Sequence, residues 1–190
     1  MTDTPAFLKD SKDLLTEQGF ATSNVWYHGT SSALIESIQQ QGILRSGDQA
    51  LREATRKTMA TIGDDGYTDT TEPVFLTQSK ALAWYWARQT VRNRSVRFEG
   101  KEEPVVFAVQ LPENLNAEIR PDVGAASLLL LEAGEHYLAY LAEIYQDNGF
   151  NLPVIDLMKA DRMEYLKLLG MAYIDRDIPA NHVSLVSNTI

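Results

Sequence analysis

The run Val25-Trp26-Tyr27-His28-Gly29-Thr30-Ser31 constrains this chain more than any other stretch. Its aromatic and β-branched residues suit a half-buried pleated strand. The strand is expected to stop on the His-Gly pair, where Gly29 lets a ligand or a neighbouring backbone come closer than a side chain would permit. Ser31 or Ser32 is placed to cap a helix with Glu36 in its early turns, Leu34, Ile35 and Ile38 turned inward, and Gly42 as the C′ residue.

The remaining chain supplies partners for this unit. Phe7, Leu8, Leu14 and Leu15 among charges predict a first amphipathic helix over residues 6–18, ended by Gly19, within an N-terminal helical extension spanning 1–22. Residues 45–72 form the longest irregular region, with a brief helical signal at 50–59. Pro73 to Thr77 reads as a short buried strand, and Gln78-Ser79-Lys80 leads into a helix to about Val91. Three adjacent aromatics on that helix, Trp84, Tyr85 and Trp86, point about 100° apart, so at least one faces a cleft or solvent. Pro104 to Leu111 is apolar on both faces and predicts a central strand. Ala117 to Pro121 reads as an edge strand, 124–145 and 153–169 as helices broken at Asn148-Gly149, and 171–174 and 182–186 as strands.

At 190 residues, 44% hydrophobic and 23% charged, the chain fits one domain with a real core. It has no cysteine, so disulfides, thiolate nucleophiles and cysteine-ligated zinc are excluded, and His28, His136 and His182 have no metal-ligand spacing; no metal is expected. A net charge of −9 argues against a protein that coats nucleic acid or an acidic membrane with its whole surface. No secretory signal or membrane-spanning run is read, and a cytoplasmic location is expected. Between Lys80 and Lys101, however, six cations stand against Glu99 alone, either a solvated helix face or a local footprint for phosphates.

Three motifs in order resemble the ADP-ribosyltransferase superfamily of the diphtheria-toxin and poly(ADP-ribose) polymerase type. The strand-borne His28-Gly29 resembles its first motif. Val74-Phe75-Leu76-Thr77-Gln78-Ser79-Lys80-Ala81-Leu82-Ala83-Trp84-Tyr85 is similar to its second, a strand and a helix carrying a tyrosine. Ala172-Tyr173-Ile174-Asp175-Arg176-Asp177-Ile178 follows the frame of its third, Glu-Tyr-Ile-x-x-Asp-Ile, with a methyl where the catalytic glutamate is expected.

The resemblance implies an α+β domain over 1–190, two small packed antiparallel or mixed sheets with flanking helices around an NAD cleft. It implies transfer of ADP-ribose from NAD to a macromolecule, protein or nucleic acid, in a toxin-like enzyme with an antitoxin protein as a possible partner and no membrane partner. His28 would bond the adenosine-side ribose, Gly29 would clamp the nicotinamide amide, and Tyr85, which keeps the residue type, would stack on its ring, with Trp84, which holds the spacing counted from Ser79-Lys80, as the alternative. Thr30, Phe75, Thr77 and Ser79 would complete the NAD contacts.

A carboxylate bonded to the ribose stabilises the oxocarbenium-like centre left when nicotinamide departs, and Ala172 cannot. A small core residue in an accidental match, a natural pseudoenzyme, a carboxylate relocated to Glu164 or Asp175, or deliberate inactivation would each account for it, and the intact frame around it favours the last. The rivals to transfer are a tRNA 2′-phosphotransferase-like activity, disfavoured by the lack of arginine in 1–24, and a dinucleotide- or partner-binding module without turnover.

Overall fold

The computed structural model describes residues 9–17, 19–20, 22–61, 71–122, 143–151 and 171–186. In chain order these form α1 (Ser11–Leu14), β1 (Leu15–Thr16), β2 (Gly19–Phe20), β3 (Val25–Ser31), α2 (Ile35–Gln41), α3 (Gln49–Thr61), β4 (Val74–Thr77), α4 (Lys80–Ser95), β5 (Pro104–Gln110), α5 (Glu113–Asn116), β6 (Arg120–Pro121), β7 (Met171–Ile174) and β8 (Val183–Leu185). Short 3-10 turns precede α2 and β8.

The domain is α+β. In place of the two small packed sheets expected, the described residues form one six-stranded antiparallel sheet, ordered β6-β7-β4-β3-β5-β8, and a separate β1-β2 ribbon. The short strands β6 and β8 form the edges, which limits the row of unpaired backbone groups offered to other chains. β3 and β5 pair over seven residues, from Val25–Gln110 to Ser31–Pro104, at the centre.

Strand alternation sends Trp26 of β3, Phe107 and Val109 of β5, Leu76 of β4 and Ala172 and Ile174 of β7 into the main core, closed by Ile38 of α2 and by Ile43 and Ile178. The Trp26 indole N–H donates to Asn116 Oδ1 at 2.8 Å, so burying this large ring leaves no polar atom unsatisfied. The other face carries Tyr27 and Val106 against Ala83 and Ala87 of α4. Burial on both faces explains the unbroken apolar run of β5.

Some local expectations need correction. β3 does not stop at His28-Gly29 but continues through Thr30 and Ser31, because β5 pairs with it to the end. Ser31 caps the 3-10 turn at 32–34 that leads into α2, its Oγ accepting from Ala33 N–H at 3.2 Å, while α2 itself starts after Leu34 without a side-chain cap. The helix expected over 6–18 is only the turn at 11–14, followed by strand residues; residues 1–8 and 18 lie outside the described residues. Asp10 could cap that turn, but its carboxylate instead accepts from Ser79 Oγ at 2.6 Å and Ala81 N–H at 2.9 Å, and an uncapped short helix propagates poorly. α3 and α4 are longer than expected, and α5 precedes a β6 reduced to two residues. Residues 143–147 are helical and end near Gly149 at φ 74°, whereas the rest of the helix expected over 124–145 and the whole of 152–170, which holds the other expected helix, lie outside the described residues.

Candidate functional site

Where the three motifs meet is set by strand order. β7, β4 and β3, which carry the third, second and first motifs, are consecutive neighbours in the sheet. β3 and β4 nevertheless pair only at Tyr27–Thr77, so the sheet is split beyond that point. The phase of the β3-β5 ladder is fixed by Leu111 N–H donating to Asn24 O and Ser32 N–H to Glu103 O, both at 2.8 Å. Even-numbered residues of β3 therefore bond to β5, and Gly29 turns its N–H and C=O toward the β4 side, into the split.

His28 bridges that split. Its Nδ1 lies 2.9 Å from the Phe75 carbonyl oxygen, and because a carbonyl only accepts, Nδ1 carries the proton and Nε2 is left as an acceptor. Desolvation lowers the His28 pKa below its ordinary value, opposed by the bond to Phe75, so the ring is neutral at pH 7.

A cavity of about 400 Å³ opens at the split. β3 contributes Tyr27, His28 and Gly29 to its lining, and β4 contributes Phe75, Leu76 and Thr77. α4 adds Ala83, Trp86 and Thr90, and Met171 and Asp122 complete the described wall. This volume lies within the range of small-molecule sites, and the mix of aromatic walls with a few polar groups is their usual composition.

The helix lies hard against the strand because residue 29 has no side chain. A Cβ there would stand 1.9 Å from the Ala83 carbonyl oxygen and 2.8 Å from Ala87 N. Gly29 is thus required by the α4 backbone on one side while its own amide groups point into the split.

Of the expected contacts, His28, Gly29, Phe75 and Thr77 line the cavity; Thr30, Ser79, Trp84, Tyr85 and Ala172 do not. Thr30 is buried on β3, and Ser79 caps α4 through Leu82 N–H at 2.9 Å. Trp84 packs against the Ala83–Ala87 cluster. Trp86 is the ring that reaches the cavity, and Tyr85 meets it edge-on, centroids 5.1 Å apart at 75°. The helix phase set by Gly29 places Ala83, Trp86 and Thr90, at i, i+3 and i+7, on the cavity side.

Ala172 is fully buried in the main core and pairs with Leu76, so its methyl points to the opposite face from Met171. The preserved frame around it has structural work of its own: Ile174 and Ile178 are core residues, and Asp177 Oδ1 accepts from Arg45 N–H at 2.6 Å. Asp175 is exposed and pairs with Arg45 at 3.3 Å, away from the cavity, and Glu164 lies outside the described residues.

No protein-family model, curated protein or solved structure matches the chain. The residues that the sequence motifs missed are Tyr27, Trp86, Thr90, Met171 and Asp122. Among them Asp122 is the one carboxylate among the described lining residues, buried at the end of β6.

The basic run is largely used within the fold. Buried Arg94 is ion-paired with Asp48 and with Glu102, the latter at 2.7 and 3.0 Å, and Glu102 in turn accepts from Ser31 Oγ at 2.5 Å. Arg97 bonds Thr55, and Lys101 pairs with Glu103 at 2.8 Å. Lys80, Arg88 and Arg92 are exposed along α4 at multiples of four residues with partly buried Trp84 between them, and the Lys80 ammonium lies over the Tyr27 ring, 5.7 Å from its centroid. Among the described residues no helix is long and apolar enough to cross a membrane.

Proposed function

We propose that the protein is an NAD-consuming ADP-ribosyltransferase, with the nicotinamide-ribose end of NAD entering the cavity between β3, β4 and α4. The observation that carries this reading is the split beyond Tyr27–Thr77, where Gly29 directs one N–H and one C=O to the same side beside His28. A primary carboxamide offers the complementary acceptor and donor, and nicotinamide carries such a group on a flat ring. Trp86 and Phe75 supply aromatic surface for that ring, and neutral His28 presents Nε2 to a ribose hydroxyl. The stripe of Lys80, Arg88 and Arg92 with Trp84 favours nucleic acid over protein as acceptor, because phosphates and unstacked bases are what such a stripe holds.

Calorimetry with NAD tests the reading. Wild-type protein is expected to bind NAD, and His28→Ala to lose about 1–3 kcal/mol of that affinity, the scale of a buried hydrogen-bonding group left without its partner. Wild-type protein that does not bind NAD rejects the proposal. A second reading, a dinucleotide-binding module without turnover, is favoured by the burial of the Ala172 methyl in the core. NAD binding without nicotinamide release is the result that would select it.

A further inference from the structure

We infer that Asp122 supplies the catalytic carboxylate that Ala172 cannot, an inference that rests on the reading of the cleft as an NAD site. The register places four residues in one row across the sheet. Tyr27 lies opposite Thr77 and Thr77 opposite Met171, and Asp122 N–H donates to Met171 O at 2.9 Å as the next step beyond Pro121–Ala172. Directly opposed residues of antiparallel strands project to the same face, and all four line the cavity. The adjacent row, Pro121–Ala172–Leu76, projects the other way, toward the main core, and of these three Leu76 alone also lines the cavity.

Asp122 is therefore on the α4 side of the sheet with Trp86, whereas residue 172 faces the main core. With strands about 4.8 Å apart, its Cα lies roughly 10 Å from that of Thr77 and 14 Å from that of Tyr27. A nicotinamide ring held at Gly29 and Trp86 directs its ribose along this row toward Asp122. Only 7% of Asp122 is exposed, beside the apolar Met171, so a charge there acts through little water.

In the proposed step the C1′–N1 bond of NAD breaks and its electron pair goes to the ring nitrogen, which leaves as neutral nicotinamide. Positive charge develops on C1′ and the ribose ring oxygen, facing the Asp122 carboxylate. Water or an acceptor hydroxyl adds to C1′, and the proton it gives up passes to Asp122 and on to solvent. The products are nicotinamide, ADP-ribose or its adduct, and one proton.

The test compares wild type with Asp122→Asn, which keeps the shape and removes the charge. Nicotinamide release at saturating NAD is expected to fall by about 10²-fold or more, with NAD affinity by calorimetry changed less than about threefold. The acid limb of the wild-type rate profile, where the carboxylate is protonated, should be absent from the variant; a merely structural aspartate would not produce that difference. Asp122→Ser is a second neutral variant should the amide fail to fold. Wild-type NAD binding with equal release by the neutral variant, or with no release by wild type, overturns the assignment of Asp122 and leaves the NAD site standing. Absence of NAD binding by wild type overturns both.

Discussion

His28 Nδ1 stands 2.9 Å from the Phe75 carbonyl oxygen, and this contact sets the ring's tautomer and ties β3 to β4 where their ladder has ended. It also makes stability depend on pH. The folded pKa of His28 is lowered from 6.5, so between the two values the unfolded chain binds a proton that the folded chain does not. The stabilisation is fully present above pH ~6.5 and is lost as pH falls toward the folded value. His28→Gln, which can still donate to Phe75, should flatten this part of a plot of Tm against pH; an unchanged slope would remove His28 as its source.

Gly29 should be intolerant of even a methyl group. The intruding Cβ would meet backbone atoms of Ala83 and Ala87, which cannot rotate away as a side-chain end could. Gly29→Ala is expected to cost about 3 kcal/mol or more, the upper part of the overpacking range. For a chain of this size that lowers Tm by roughly 6–12 °C, measurable by scanning calorimetry.

Ala172→Glu should damage the fold rather than restore a site. The position is fully buried among Leu76, Ile174 and other core residues, so the new carboxylate would lose water and gain no partner. A loss of about 3–5 kcal/mol in urea unfolding is expected, the scale of an uncompensated buried charge. A stable Ala172→Glu protein with increased nicotinamide release would show that the side chain at 172 reaches the cleft after all.

How much of this was legible beforehand follows from what each feature depends on. β3, β5 and α4 carry strong local patterns: aromatic and β-branched residues, an apolar run buried on both faces, and a Ser79 cap before a long helical stretch. His28 and Gly29 were legible because a glycine beside a strand histidine signals close approach. The choice of Trp86 over Tyr85 depends on helix phase, which Gly29 sets from about 55 residues away and no local pattern encodes. Whether Ala172 faces ligand or core depends on the parity of its pairing with Leu76, and a motif frame carries no parity. Asp122 follows a two-residue edge strand too short to have periodicity.

Arg94 should be the most costly surface-proximal cation to remove. It is buried between Asp48, at the start of α3, and Glu102, before β5, so Arg94→Ala would strand two carboxylates. A loss of about 3–5 kcal/mol is expected. The bond from Arg94 is the largest cause of the lowered Glu102 pKa, and a depressed carboxylate stabilises above its unfolded pKa and loses that contribution as pH falls through its folded value. The acid limb of wild-type unfolding below pH ~4.5 should therefore be shallower in Arg94→Ala. Identical limbs would place the acid sensitivity elsewhere.

Trp86 gives the most direct test of which face of α4 meets the ligand. The cavity touches Trp86 but neither Trp84 nor Tyr85, and Tyr85 supports the Trp86 ring from its edge. Trp86→Ala should lower NAD affinity by about 1–3 kcal/mol, the usual worth of a stacked aromatic, while Trp84→Ala should leave NAD affinity within a few tenths of a kcal/mol. Nucleic acid should behave in the opposite way. Arg88 and Arg92 are the exposed cations that flank partly buried Trp84 on its C-terminal side, so Arg88→Ala and Arg92→Ala should each reduce by about one the slope of log affinity against log salt for single-stranded nucleic acid. Quenching of tryptophan fluorescence by NAD should disappear in Trp86→Ala and persist in Trp84→Ala. The reverse pattern would mean that α4 is turned by about two residues from the phase that Gly29 imposes, and the cavity would then not be the nucleotide site.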